Sequence, residues 1–272
     1  MILTVVLGIF TVIAVIDGIS AAVVRKAAQR QAALLYRQAA VAAGPLPDFE
    51  KVPEALRAYM HASKIYEQPH AGNVLRLRQK GAIRFREGRG WKPFEAKCFI
   101  ALQSVPGLVW YADVTMGWLR SRAVLHILSK GIARWQEKIW GLNVRPIFYN
   151  DRDILTYLLT EYYATAVWHP GTWIGPALVW EVSGKRTLLA RTLNPNLSLS
   201  LTLRFGPDAL LESLTAERGT STWTVRYSEY REVGGVVVPL AWMIELSRQG
   251  RKWVYLEGKV TDMVSDEAFS WW

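Results

Sequence analysis

The chain opens on an unbroken apolar run, residues 2–24, that reads ILTVVLGIFTVIAVIDGISAAVV. At about 1.5 Å per residue these 23 residues span about 34 Å, enough for a hydrocarbon core of about 30 Å, so they predict one transmembrane helix. Asp17 is the one blemish, because a carboxylate costs about 2.5–3.5 kcal/mol at the centre of an inserted helix and less toward its ends. A cleaved signal peptide is the rival reading; Ala-rich sites follow the run, but no Lys or Arg precedes it to make a positive leading region. Arg25, Lys26, Arg30 and Arg37 all follow the span, and the positive-inside rule then places the rest of the chain in the cytoplasm. Residues 25–43 are rich in Ala, Gln, Leu and Arg and lack Gly and Pro, so the helix is expected to continue beyond the membrane until residues 44–47 (GPLP) stop it. Residues 1–44 are thus read as a transmembrane helix with a juxtamembrane helical extension, and residues 45–272 as a single domain.

Within that domain residues 48–61 predict a short helix, with Phe49, Val52, Leu56, Tyr59 and Met60 on one apolar face. The period then changes to two. Leu75, Leu77, Ile83 and Phe85 alternate with Arg76, Arg78, Lys80, Arg84 and Arg86, which predicts a strand or hairpin buried on one face and basic on the other. Phe94, Ala96, Cys98, Ile100 and Leu102 share a parity as far as the turn signal at residues 104–107. Further strands are expected at 108–114, 123–128, 132–139 and on the approach to Pro146. A helix over 151–167, capped by Asn150 or Asp151, carries Ile154, Leu158, Glu161 and Tyr162 about a turn apart. Strands resume at 178–182, 187–192 and 197–205, where leucines alternate with Ser, Thr and Arg, and a meander follows at 223–230, 235–246 and 253–262. The sum is an α+β fold: an N-terminal transmembrane helix, then one large curved antiparallel sheet, half-barrel-like, packed on two or three helices.

A 51% hydrophobic content against 21% charged residues supports a sizeable core and excludes disorder or a coiled coil for the chain as a whole. The only cysteine, Cys98, excludes an internal disulfide and a thiolate metal site, so packing alone must hold the fold. His61, His70, His126 and His169 show no metal-ligand spacing, and there is no nucleophile elbow, phosphate-binding loop or dinucleotide fingerprint, so neither metal nor cofactor is expected. Glu161 and Glu181 have acid–base capacity without a partner that the sequence places beside them. Thirty-three Lys and Arg against 23 Asp and Glu give a net charge of +10, which suits anionic partners. The basic row Arg76, Arg78, Lys80, Arg84 and Arg86 reads either as a solvated strand face or as a contact for headgroup phosphates. Nucleic acid is disfavoured, since no RNA-binding signature or Cys/His finger accompanies the charge.

All 13 tryptophans lie between Trp91 and Trp272, in the sheet-rich part. Indoles there can pack a wide sheet, line an apolar cavity or sit at headgroup level, and the sequence leaves the three open.

RLRQKGAIRF, GWKPFEAKCFIALQSVPGLVWYADV, a helix ending in WHP, the dipeptide Trp180-Glu181 and YSEYREVGGVVVPLAWMIEL together resemble the bacterial membrane-anchored family DUF6544, over about residues 50–263. Departures are Lys97-Cys98, where a polar Gln-type residue is expected, and His169, where an aromatic or aliphatic residue is usual. The family has no assigned catalytic group to carry over. The closing pattern, a strand, Gly-Gly, a Pro-containing strand and a final hairpin, is also similar to the lipoprotein-carrier fold of LolA type. That similarity implies a curved sheet around helices, an apolar hollow for acyl chains and a site of action outside the cytoplasm, against the positive-inside reading.

The function expected from all this is a single-pass, non-catalytic binding protein for a hydrophobic or lipid-like ligand, in a concavity lined by Trp110, Trp140, Trp180 and Trp242. Its partners are then the bilayer and a lipid or acylated ligand. A protein-interaction module with a closed interior, and an enzyme whose site is scattered in sequence, are the alternatives.

Overall fold

In the computed structural model of the chain the described residues are 2–41, 52–67, 74–101, 106–116, 120–140, 142–144, 148–149, 151–174, 178–193, 199–218, 220–266, 269 and 271. The helix stop at 44–47, the start of the short helix with Phe49, Leu102, the turn at 104–105, His70, Pro146, Asn150 and residues 197–198 lie outside them.

One helix, α1 (Ile2–Val41), carries the whole apolar run and its Ala-rich extension; it is long and apolar enough to cross a membrane. Two shorter helices follow, α2 (Glu54–Ala62) and α3 (Arg152–Thr165). Asp151 caps α3, its side chain accepting a hydrogen bond from the Asp153 amide at 2.8 Å. Short 3-10 turns, Ala166–Trp168 and Pro170–Ile174, carry the chain on from there.

Most of the other described residues form one antiparallel sheet of 14 strands. They are β1 (Val74–Ile83), β2 (Lys92–Ala101), β3 (Gly107–Thr115), β4 (Arg120–Ser129), β5 (Ile132–Ile139), β6 (Leu142–Asn143), β7 (Phe148–Tyr149), β8 (Leu178–Gly184), β9 (Thr187–Thr192), β10 (Ser200–Phe205), β11 (Leu211–Arg218), β12 (Ser221–Val233), β13 (Val236–Arg248) and β14 (Arg251–Asp266). Their order is β6-β5-β4-β3-β2-β1-β14-β13-β12-β11-β10-β9-β8, with β7 pairing β5, so almost every strand lies beside its sequence neighbour and one long-range pairing, β1 with β14, joins the two halves. The α+β class and the large open sheet are as the alternation predicts.

Strand β11 escaped the periodicity because its parity breaks. Arg204 faces Ser213 but Phe205 faces Leu211, so one extra residue bulges there, and Leu211, Leu214 and Ala216 are all buried despite mixed parity.

The inner face of the sheet holds the main core, in which Leu75, Leu77, Cys98, Ile100 and Leu108 pack with Tyr59 and Met60 of α2 and Leu158 and Tyr162 of α3. The outer face holds a second core. Val24, Ala28, Ala32, Leu35, Tyr36 and Ala39 of α1 cover Phe99, Val109, Tyr111, Ala123, Leu125 and Ile127, with Phe269 and Trp271 packed alongside. Spacings of three and four place these small residues on one stripe of α1, and the alanines let helix and sheet approach closely. The alternation over 75–86 predicts a basic outer face there, solvated or against headgroups; strands β2–β4 beside it are apolar on both faces because a helix lies on each.

Gly81 and Gly258 face one another across β1 and β14. A Cβ at Gly258 would lie 2.8 Å from the Trp242 ring, so the indole rests against bare backbone there. Gly258→Ala should therefore push Trp242 off its seat and cost about 1–3 kcal/mol, measured by denaturant unfolding; a change below about 0.5 kcal/mol would refute the close approach.

His169, between the two 3-10 turns, is buried, and burial lowers its pKa from 6.5 to about 4. The unfolded chain then binds a proton that the folded one refuses between about pH 6.5 and pH 4, so stability falls as pH drops through that window and is unaffected above it. The contribution is about 2 kcal/mol at pH 5. His169→Phe should remove it: the denaturation midpoint should fall less between pH 7.5 and pH 5 than in the parent chain, and equal falls would show that His169 is not the group responsible.

Candidate functional site

Helices α2 and α3 do not fill the whole concavity. Pairing registers put the β1–β2, β3–β4, β5–β6 and β13–β14 connections at one rim of the sheet and the β4–β5 and β12–β13 turns at the other. A cavity of about 290 Å³ lies toward the first side: most of the strand residues that line it belong to the half nearest that rim, while Trp110, His126 and Trp135 lie just past the middle of their strands. Its floor is α3 and the turn that follows, through Tyr157, Glu161, Ala164, Thr165 and Trp168.

The two walls differ in chemistry. Strands β12–β14 supply an apolar wall of Trp223, Val225, Tyr227, Trp242, Ile244, Leu246, Trp253 and Leu256, in which the Trp223 indole donates to the Tyr255 hydroxyl at 3.1 Å. Opposite, β4, β5 and α3 place four ionisable groups: Arg122 with Glu137 near the rim, and His126 with Glu161 deeper in. Arg122 and Glu137 form a nearly buried ion pair, and the Arg122 guanidinium carbon lies 3.5 Å from the centroid of Phe85. Strands β1 and β4 are three places apart, about 14 Å, so Phe85 reaches across the mouth from the β1–β2 loop.

His126 Nδ1 lies 2.8 Å from Glu161 Oε2, and its ring is packed between Trp110, Trp135 and Tyr157 with centroids 5.1, 4.7 and 5.7 Å away. Its Nε2 and the Trp242 Nε1 are buried with no hydrogen-bond partner among the described residues. The Trp110 indole donates to Gln79 Oε1 at 3.0 Å, which lets both polar groups sit in an aromatic wall without an unmet hydrogen bond. The buried Cys98 thiol is pushed well up in pKa by burial and by Glu161, so it is no nucleophile. Among the described residues no group of three His, Cys, Asp or Glu side chains is placed to hold a metal ion.

Of the four tryptophans expected around a ligand, Trp110 and Trp242 line this cavity. Trp140 stands instead at the β5–β6 turn, 51% exposed, and Trp180 packs edge-on to Trp173 at 6.1 Å on β8, the last strand of the sheet, beyond the cavity wall. The basic row divides as well. Arg76 is buried on the outer face near Tyr36 of α1, and burial lowers its pKa. Arg78 and Lys80 pair with Asp262 and Glu95 at 3.9 and 3.1 Å. Past the end of β1 the alternation lapses, so Arg84 turns to the cavity mouth, donating to the Val254 carbonyl at 2.6 Å with its guanidinium 4.3 Å over Trp91, while Arg86 is exposed in the loop. Among the described residues the row is thus not one continuous basic face: α1 covers Arg76, and Arg84 and Arg86 lie past the end of β1. Glu181, on β8, pairs with Arg191 at 3.3 Å in the open.

The groups that sequence reasoning missed are Gln79, Arg122, His126, Trp135 and Glu137. A signal was present in AVLHIL: His126 shares parity with Val124 and Leu128, so a histidine on a buried strand face called for a partner.

No curated protein sequence matches the chain. Among solved structures, a LolA-superfamily protein from Nitrosomonas europaea is similar over 76% of this chain and 92% of its own at 8% identity, with a TM-score of 0.43. A porin-like protein from Bacteroides uniformis is similar over 70% and 96% at 12% identity, with a TM-score of 0.28. The model of the family of unknown function DUF6544 matches residues 44–258, from just after α1 through to β14, and the chain belongs to that family.

Proposed function

We propose that the chain is a membrane-anchored, non-catalytic binding protein for a hydrophobic or lipid-like ligand, taken up in the cavity floored by α3. The observation that carries this reading is a hollow of about 290 Å³ with an aromatic wall on one side and paired ionisable side chains on the other. Ligand sites commonly run from about 300 to 1,000 Å³, so this one suits a single acyl chain or a compact amphiphile better than a two-chain lipid. Burying about 200 Å² of apolar ligand surface gains about 5 kcal/mol before ordering costs. Trp110, Trp223, Trp242 and Trp253 supply that contact, and the Arg122–Glu137 and His126–Glu161 pairs offer hydrogen bonds to a polar head. The apolar side chains of α1 from Ile2 to Ile19 are largely exposed, which suits a lipid environment, and Arg25, Lys26, Arg30 and Arg37 favour the cytoplasmic side for the domain. A closed interaction module accounts less well for a hollow core.

One observation favours a second reading, catalysis. A histidine oriented through Nδ1 by a carboxylate is the arrangement of a general base, although no nucleophile stands beside His126 among the described residues.

The full chain, extracted with its surrounding lipid by a styrene–maleic acid copolymer, should retain a single-chain amphiphile detectable by native mass spectrometry. Ala164→Leu, which fills the floor of the cavity, should weaken binding of a fluorescent fatty acid by at least about tenfold, about 1.4 kcal/mol, while Trp140→Ala leaves it unchanged. A parent chain that holds and takes up no amphiphile would sink the reading. Recovery of the ligand chemically altered, with the change abolished in Glu161→Gln, would replace binding by catalysis.

A further inference from the structure

The rim that bears the cavity mouth is also the rim over which α1 leaves the domain. Leu35 of α1 lies against Gly107 at the far end of β3, whereas Asp17, Ser20 and Ala21 lie beside Asp113, Arg122, Ala123 and Lys138 at the near end. Toward its N-terminus the helix therefore passes over this rim and carries its exposed apolar residues beyond it. Arg122 lines both the small cleft beneath Asp17 and the cavity, so helix exit and cavity mouth are separated by the thickness of one strand.

The level of the headgroups can be read from the helix. Arg25 and Lys26 are the first cations along α1, and cations at the end of an apolar span sit among the headgroups. Arg25 is bonded to Asp113 at 3.3 Å, two residues before β3 ends at the rim. Ile19 and Val23, 62% and 57% exposed, continue the apolar stripe of α1 alongside residues that already touch the sheet. Lipid contact and domain contact thus overlap along the helix, which brings the rim level with the membrane surface. The rim has the matching composition: Trp91, Trp140 and Leu142 are exposed there beside Arg86, Arg89, Arg251 and Lys252, the mixture of indole and cation that settles at an anionic interface. At the opposite rim an acidic residue pairs with a lysine, Lys64 with Glu232 at 2.6 Å.

From this we infer that the rim formed by the 84–91 loop, Trp140, Leu142 and the adjoining ends of β3 and β4 is seated in the headgroup layer of an anionic bilayer, and that the cavity opens directly onto the leaflet. A hydrophobic ligand would then pass between lipid and cavity without crossing bulk water, and Phe85, which reaches over the mouth, lies in its path. The seating stands on the geometry of α1 and the rim; the passage of ligand rests on the binding function proposed above.

The test uses the full chain in vesicles of equimolar phosphatidylcholine and phosphatidylglycerol. Cys98 is buried and unreactive, so an added cysteine can be spin-labelled selectively. Nitroxides at Trp140→Cys and Leu142→Cys should collide preferentially with oxygen and be shielded from a water-soluble nickel chelate, whereas one at Lys130→Cys, at the opposite rim, should show the reverse. Two labels at the near rim guard against a local effect of either substitution. Water-like accessibility at both Trp140→Cys and Leu142→Cys overturns the seating, as does immersion of Lys130→Cys to the same depth. Immersion of the near rim in a chain that binds no amphiphile upholds the seating while removing the ligand function; a near rim in water in a chain that does bind one overturns the seating alone.

Discussion

Strands β2–β4 carry apolar side chains on both faces, and a sheet of that kind is stable in water only if each face is covered. The inner face is covered by α2, α3 and the turns after α3. The outer face is covered by the second half of α1, the helix whose first half is the apolar run. The apolar helix and the sheet are therefore parts of one packed unit and not two bodies joined by a linker. This lamination fixes where α1 crosses the rim and commits Arg25 to Asp113. It also removes Arg76 from the surface, which is why the basic strand does not present a continuous charged face.

The hollow beside α3 follows from the span of the sheet. Two short helices and a few 3-10 turns cannot fill the concavity of 14 strands, so part of it is left to large, stiff rings. Aromatic side chains bring area without flexibility, and they leave space when their neighbours are other rings. Gly258 contributes from behind, since its missing Cβ lets Trp242 lie against the strand and keeps the indole in the wall. The ionisable groups at the other wall are tolerable because each has a partner: Arg122 with Glu137, His126 with Glu161. Removing one member of either pair would leave its partner buried and uncompensated, so these residues hold the shape of the cavity whatever further role they have.

Much of the fold was legible because its strands are joined mostly by short turns and alternate visibly. The strand at Thr187–Thr192 has the bounds that the sequence predicts, and β5, from Ile132 to Ile139, does too. Where the alternation failed there was a physical cause. A bulge at the start of β11 changes parity within the strand, and β3 and β4, read as runs of apolar residues, lose their alternation because α1 lies on their outer face. The candidate site was legible only in kind. An excess of tryptophan pointed to aromatic walls, but parity cannot say that β8 lies beyond the cavity or that Trp140 falls on a turn.

What the sequence determined by itself was local: the apolar helix, the period-two strands, the cap at Asp151 and the family to which residues 44–258 belong. These rest on interactions between residues close in the chain or on composition alone. Only the tertiary structure decided which residues share a wall. His126 and Glu161 are 35 positions apart, Gln79 and Trp110 are 31 apart, and Gly81 meets Gly258 across the one long-range seam of the sheet. Those meetings depend on register, bulges and the side of the sheet on which α1 docks, and each of these is set by packing over the whole molecule and leaves no periodic trace in the sequence.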